Sequence, residues 1–362
     1  MRPPGEVRCS GLGVALPAHA IDQADAAAMA SRLVAASPAI ASRIERLYRS
    51  TTVMRRHLVI LDDAAGACTF YRSRSTDEPR GPDTAARLAR YRDVAPDLAV
   101  VAARGALSRA GRDAGSIEHL VTVTCTGFAA PGLDLALVDR LGLGSNVSRT
   151  HIGFMGCHGA LNGLRVASAL ASTGPVLLCA AELCSLHLNY ATDHATIIGN
   201  ALFADGAAAA VIESTGAGIR LIDQFSEIVP ATATAMQWIV GNHGFEMTLD
   251  ARVPEHVAAT VRPLLDARLK TAGLGVADVA HWIVHPGGPA ILDAIEARLG
   301  LGPGILDASR EMLRTRGNLS SATVLFILDD LLRAGLRGPV VMLAFGPGMT
   351  IEGAVFLPSG NH

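Results

Sequence analysis

The chain has 362 residues, half of them hydrophobic and only 4% aromatic, and its acidic and basic side chains nearly cancel at a formal net charge of −2. That length and apolar content allow a large buried core and room for two domains of ordinary size. With no basic stripe and few rings to stack on bases, the chain is not built to hold nucleic acid; its apolar stretches are too short or too broken by Gly, Pro and polar residues to span a bilayer.

The opening stretch, Met1-Arg2-Pro3-Pro4-Gly5-Glu6, lacks an apolar signal-peptide core, which predicts a cytoplasmic protein. Residues 5 to 16 read as a first strand, and Ile21 to Ala36 as a helix with Asp22 at its N-cap. Arginines at 43, 46, 49, 55 and 56 follow; they read as a solvated face, with docking of a phosphorylated cofactor as the alternative use. Ser73 to Asp83, rich in Arg, Asp, Glu and Pro, reads as an exposed loop. A helix is expected from Pro96 to Ala110 and strands at His119 to Thr124, Thr150 to Phe154, Pro175 to Ala181 and Ala207 to Glu213.

The second half repeats this grammar. Helical patterns at Pro254 to Ala272, Pro289 to Leu299 and Ser320 to Ala334 accompany strands at Trp282 to His285, Val340 to Phe345 and Thr350 to Phe356, the last two joined through Gly346-Pro347-Gly348. Strands alternating with helices predict an α/β protein with a buried, largely parallel sheet. The two halves, 1–215 and 216–362, meet near residues 214 to 222 and have the look of an internal duplication.

Chemistry concentrates at Gly153-Phe154-Met155-Gly156-Cys157-His158-Gly159-Ala160. A strand leads in and a nearly uncharged helical pattern, Leu161 to Ala171, leads out. That places the thiol at a helix mouth, where unpaired N–H groups and the macrodipole are expected to lower its pKa. The six cysteines show no CxxC pair or zinc-like spacing and read as reduced thiols, with no metal site implied.

Two partners stand at element ends in the second half. His285 opens His285-Pro286-Gly287-Gly288-Pro289 after a short apolar strand, at a carboxyl end of the kind where α/β proteins bind ligands. Asn318 lies in Arg316-Gly317-Asn318-Leu319-Ser320-Ser321, where its simplest use is capping the next helix. Together they permit more: histidine is a base or cation beside a thiol, and asparagine is a neutral donor for a developing oxyanion. A papain-type hydrolase has the same order of residues but carries its cysteine near the mature N-terminus in Cys-Gly-Ser-Cys-Trp, unlike Cys157. An acyl transferase that carries its substrate on cysteine fits better.

These residues resemble the type III polyketide synthases, the chalcone-synthase-like branch of the thiolase superfamily, over nearly the whole chain and with bacterial members as the nearer match. The likeness rests on Gly156-Cys157, the run from His285 to Asp293, the run from Gly317 to Ala322, Ala201-Leu202-Phe203-Ala204-Asp205-Gly206, and Phe345-Gly346-Pro347-Gly348. It implies a thiolase-like αβαβα layered fold with two similar halves, the first carrying the nucleophile and the second the His and Asn. It also implies a homodimer that takes acyl-CoA and malonyl-CoA with no acyl carrier protein and no cofactor beyond these thioesters. By the same resemblance Cys157 carries the starter, and His285 and Asn318 stabilise the enolate formed when malonyl-CoA loses CO2. The product expected is a small pyrone or phenolic. Phe203 matches an aromatic gatekeeper and Met247 falls at its partner position. Cys125, Cys184, His187, Trp238 and Ser320 match cavity-lining positions, joined by Gly287, Phe345, Gly346 and Pro347 from the two glycine-rich motifs. Arg49, Arg55 and Arg56 match the basic region that meets CoA phosphates, without the lysines usual in plant members. Departures are His158 beside the nucleophile, the bulky Trp238 where plant members tend to have glycine, and Ala344 where a glycine is common. The alternatives that share the fold are a β-ketoacyl-acyl carrier protein synthase III-like enzyme, whose histidine motif differs, and a noncatalytic acyl-CoA-binding protein.

Overall fold

The computed structural model describes residues 6–76 and 79–358; residues 1–5, positions 77 and 78 of the expected loop, and residues 359–362 lie outside the described part. The first half begins with β1 (Val7–Ala15), β2 (Ala20–Asp22), α1 (Gln23–Val34), α2 (Pro38–Ser50), β3 (Arg55–His57) and α3 (Thr84–Ala110). It continues through β4 (His119–Thr124), α4 (Leu133–Leu141), β5 (Ser148–Gly153), α5 (Gly159–Leu170), β6 (Val176–Leu183), α6 (His194–Leu202) and β7 (Asp205–Glu213). The second half opens with β8 (Ile219–Ile228), the hairpin β9 (Met236–Gly241) and β10 (Gly244–Leu249), then α7 (Val253–Thr271), β11 (His281–Val284) and α8 (Pro289–Leu299). It closes with α9 (Asp307–Arg316), α10 (Thr323–Arg333), β12 (Val340–Gly346) and β13 (Thr350–Leu357).

Nine strands form one sheet in the order β11-β12-β13-β8-β1-β7-β6-β4-β5. Pairing corrects the expectation of a largely parallel sheet. Only β4 with β5, β4 with β6, and β11 with β12 run parallel; the other five neighbouring pairs are antiparallel. Helices between strands do not by themselves enforce parallel pairing, and β12 and β13 are joined by a turn too short for the crossover that parallel strands need. The order β4-β6-β7-β1 in the first half has the same pairing senses as β11-β12-β13-β8 in the second.

Layers follow from which faces are apolar. β6 and β7 are buried at every position, so both of their faces must be covered. α3 packs on β1, β6 and β7 from one side; α5 lies against β4, β6, β7 and β13, and α10 against β1, β7, β11 and β12. α7 and α8 pack together beyond the second set of strands, over a separate core of Val257, Val261, Leu265, Leu292 and Val341. The result is an α/β, αβαβα layered fold with α5 and α10 between the two sets of strands. Fully burying one such aliphatic side chain contributes about 1.5–3 kcal/mol, so the all-buried strands are the main source of cohesion.

Two local expectations are revised. The helix expected from Pro96 begins at Thr84 instead, where the Asp83 carboxylate accepts the Ala86 N–H at 2.8 Å; Pro96 is tolerated inside a 27-residue helix packed along the sheet. Asp22 does occupy the N-cap of α1, but its carboxylate bonds no backbone N–H there and instead faces Arg55 at 3.9 Å.

Candidate active site

β5 delivers the chain to Gly153, and a short loop turns it into α5. Gly156 has φ +73°, and a Cβ there would lie 2.1 Å from Pro347 Cδ, so the β12–β13 turn presses directly on the residue before the nucleophile. Only glycine accepts both that φ and that approach. The Gly156 N–H donates to Cys125 Sγ at 2.9 Å, and the Cys125 thiol donates back to the Gly156 carbonyl at 3.4 Å.

Cys157 sits in a single 3-10 turn, Gly156–His158, ahead of α5 proper. The expected low pKa is overturned: desolvation pushes the thiol up to about 12, the Ser320 hydrogen bond pulls the other way, the Glu182 charge raises it and the Asn318 hydrogen bond lowers it. Cys157 precedes the first residue of the α-helix, Gly159, and burial is the largest influence on its thiol.

His285 follows β11, its N–H donating to the Leu343 carbonyl of β12 at 2.8 Å. It is 1% exposed, and neither ring nitrogen has a hydrogen-bond partner in the protein. Burial, and then the neighbouring His158, press its pKa down to about 3, so the ring is neutral. His158 in turn packs where Gly346 lacks a side chain; a Cβ at Gly346 would lie 2.2 Å from its ring. The His158 Nδ1 meets Asn162 Oδ1 at 2.7 Å, and Asn162 donates to Glu352 at 3.0 Å, which assigns the proton of His158 to Nδ1.

Asn318 does not cap a helix. Its N–H donates to the Leu202 carbonyl at 2.9 Å, its carbonyl accepts the Ala204 N–H at 2.8 Å, and its Oδ1 accepts the Ser320 N–H at 2.8 Å. With Oδ1 committed, the side-chain NH2 is left to donate toward Cys157, the hydrogen bond already counted in the thiol's pKa.

A cavity of about 810 Å3 is bordered by Cys157, Cys125, Cys184, His187, Phe203, Trp238, Met247, Ser320 and Pro347. Three expected lining residues lie behind the wall. Phe345 belongs to the core of the second half, Gly346 packs on His158, and Gly287 turns the chain beside His285, its N–H donating to the His285 carbonyl at 3.0 Å. Arg49 and Arg55 are exposed, Arg49 pairing with Glu45 at 2.5 Å. Arg56 departs from the expected solvated, phosphate-facing surface: it is 2% exposed, and its Nη1 donates to the Asn200 and Phe203 carbonyls, each at 2.7 Å. Its Nη1 is turned inward onto backbone carbonyls, so the side chain is anchored in the interior and is not part of an exposed basic surface.

Other contributors were not legible in the sequence. Phe245 stacks on His187 with ring centroids 3.9 Å apart, and its N–H donates to His187 Nδ1 at 3.1 Å while His187 Nε2 meets the Thr126 carbonyl at 2.6 Å. Burial first, and Arg87 as a lesser cause, lower His187 to about 3 against the Thr126 hydrogen bond, so it is a neutral wall residue. Trp238 stands edge-on to both rings and donates Nε1–H to the Cys125 carbonyl at 2.7 Å. Beneath Cys125 lies Glu182, fully buried, accepting from the Cys125 N–H at 2.9 Å, the Thr126 hydroxyl at 2.8 Å and the Ser321 hydroxyl. Burial raises its pKa to about 7 against those hydrogen bonds. A lone acid inside the apolar run Val176–Leu183 was the available signal, because buried carboxylates occur where something holds them.

Among the described residues no group of His, Cys, Asp and Glu side chains is placed to hold a metal ion, and no helix is long and apolar enough to cross a membrane. The family described as chalcone and stilbene synthases matches through its N-terminal domain over residues 2–216 and its C-terminal domain over residues 220–358. The chain is 30% identical over 360 residues to the alpha-pyrone synthesis polyketide synthase-like Pks18 of Mycobacterium tuberculosis, covering 96% of this chain and 90% of that one. It is 35% identical over 351 residues to the 1,3,6,8-tetrahydroxynaphthalene synthase of Streptomyces peucetius subsp. caesius, covering 93% and 89%. The crystal structure of PKS-I from the brown alga Ectocarpus siliculosus superposes with a TM-score of 0.91 at 28% identity, over 98% of this chain and 99% of that one. This chain therefore belongs to the chalcone and stilbene synthase family and is a type III polyketide synthase, an acyltransferase.

Proposed function

We propose that the enzyme loads an acyl-CoA starter on Cys157, extends it with malonyl-CoA and closes the chain to a small pyrone or phenolic. The observation that carries this reading is a thiol at the cavity wall on which the Asn318 side chain acts, followed in the chain by His158, whose neighbour is a buried neutral histidine, His285, with two unpartnered ring nitrogens. In loading, Cys157 Sγ attacks the thioester carbonyl, its proton passes through His285, and the CoA sulfur leaves as the thiol. In extension, the C–C bond to the malonyl carboxylate breaks and CO2 departs. The electron pair becomes an enolate whose oxygen takes hydrogen bonds from His285 and the Asn318 amide. A neutral imidazole and an amide suit this task because neither must give up a proton to stabilise the charge, and one such donor is worth about 10²–10³ in rate. The enolate carbon then attacks the Cys157 thioester, forming the new C–C bond and releasing Sγ with the chain on CoA, two carbons longer.

The first half carries the nucleophile and the second half the histidine and the amide. Phe203 and Met247 border the passage to the cavity, and Trp238 limits its depth. The enzyme works as a cytoplasmic homodimer, without a carrier protein and with CoA thioesters as its only cofactor-like requirement. The test is mass spectrometry of wild type and Cys157→Ala after incubation with malonyl-CoA and a ladder of acyl-CoA starters, without carrier protein. Wild type alone should release products longer by two-carbon units. Acylation of Cys157 with extension only from a carrier-bound malonyl group would overturn the reading in favour of a fatty-acid-type synthase.

A further inference from the structure

We infer that Arg56 is a positioning residue for the condensation, holding the carboxyl end of α6 and, through it, both the cavity residue Phe203 and the amide of Asn318. The inference rests on the proposed condensing role of Cys157, His285 and Asn318. The last carbonyls of an α-helix have no partner within the helix and must find one elsewhere. At α6 every one of them is met from outside: Asn200 O and Phe203 O by Arg56 at 2.7 Å, Ala201 O by the Gln23 side chain at 2.9 Å, and Leu202 O by the Asn318 N–H at 2.9 Å. A cation at a helix carboxyl end is also favoured by the macrodipole.

Phe203 and Asn318 are thus two sides of one short parallel bridge, and Arg56 lies beneath both. Its stem runs under Gly317, where a Cβ would lie 3.0 Å from Arg56 Cγ, and Gly317 itself is held at φ +77°. The guanidinium stands over the Tyr48 ring at 5.7 Å. The strand that carries Arg56 is anchored again just beyond it, where the Val59 N–H donates to Asp205 at 2.7 Å at the start of β7. Arg56 also borders the cavity beside Phe203, and its buried Nε has no partner. A side chain that bonds the backbone on one side of the bridge and packs under the other couples their positions. Both carbonyls are reached by the single nitrogen Nη1 at the tip of the long side chain, a reach that the shorter glutamine lacks and that lysine matches only with a differently shaped head group.

The test separates loading, which needs Cys157, from decarboxylation, which needs the Asn318 amide. Acylation of Cys157 by an acyl-CoA is followed by intact mass, and CO2 release from malonyl-CoA is followed separately, in Arg56→Gln, Arg56→Lys, Asn318→Ala and the Arg56→Gln/Asn318→Ala double variant. Arg56→Gln should load within about threefold of wild type but lose roughly ten- to a hundredfold in CO2 release, as a misplacement on the scale of an ångström does. Arg56→Lys, which keeps the charge, should recover part of that loss. In the Asn318→Ala background, Arg56→Gln should cost less than about twofold more, because residues acting through one group are not additive. Equal losses in loading and CO2 release, or full additivity in the double variant, would overturn the inference. If Arg56→Gln does not fold, Arg56→Lys takes its place, alone and on Asn318→Ala: a loss confined to CO2 release and absent on Asn318→Ala supports the inference, and equal or additive losses overturn it. A wild type that neither loads nor releases CO2 overturns the functional reading itself, and the role of Arg56 with it.

Discussion

Replacing Gly156 by alanine should disable the nucleophile loop. Two costs add at this position. A non-glycine residue at φ +73° costs about 1–2 kcal/mol, and forcing a methyl to 2.1 Å from Pro347 Cδ costs about 1–3 kcal/mol of overpacking. Together they amount to about 2–5 kcal/mol, a large share of a typical stability of about 5–15 kcal/mol. At about 2.1 cal/mol/K per residue over 362 residues, each kcal/mol moves the Tm by about 1.3 °C, so the midpoint should fall by about 3–7 °C. The loop can relieve the clash only by moving away from Pro347, and Cys157 is the next residue, so acylation should fall by about a hundredfold even in the folded fraction. Gly302→Ala is the control: a Cβ there meets nothing within 4 Å, and stability should stay within about 0.5 kcal/mol. Urea titration and intact-mass acylation assays measure both effects. A Gly156→Ala enzyme that matches the Gly302→Ala control in stability and in loading rate would refute the packing argument.

Two further outcomes follow from the buried polar groups. Glu182 has its folded pKa raised to about 7, so the folded state holds its proton more tightly than the unfolded chain does; stability from this group is full below about pH 4.5 and is lost as pH rises through 7. Glu182→Gln removes that dependence, and urea unfolding between pH 5 and 8 should show wild type losing on the order of 3 kcal/mol relative to the variant; a difference that does not change with pH contradicts the assignment. Ser320 donates a hydrogen bond that lowers the pKa of Cys157. Ser320→Ala should therefore slow iodoacetamide alkylation of Cys157 at pH 8 and move its pH profile upward, and an unchanged profile would show that the hydroxyl does not act on the sulfur.

The proposed triad could be read from the sequence because each member sits in a local signal. Cys157, His285 and Asn318 all follow glycine-rich or element-end patterns whose geometry is set within a few residues. Phe203 was legible for the same reason, at the junction of α6 and β7. Arg56 reads as a surface residue because its run of arginines has the composition of a surface, and only the packing of β3 under α6 buries it. The stack of Phe245 on His187 joins a β-hairpin to a loop 58 residues away, and nothing in either segment announces the other.

The sequence by itself determined most of the element types, their alternation along the chain, and which side chains we propose as the reacting groups. These depend on period, turn chemistry and residue type, all of which act over a few positions. The tertiary structure alone decided the antiparallel majority of the sheet, the protonation of the site and the walls of the cavity. Pairing sense depends on how distant segments return. The high thiol pKa of Cys157, the low pKa of His285 and the raised pKa of Glu182 depend on how much water their neighbours exclude. Desolvation is a property of the assembled interior, and it reverses here what a helix end alone would do to a cysteine.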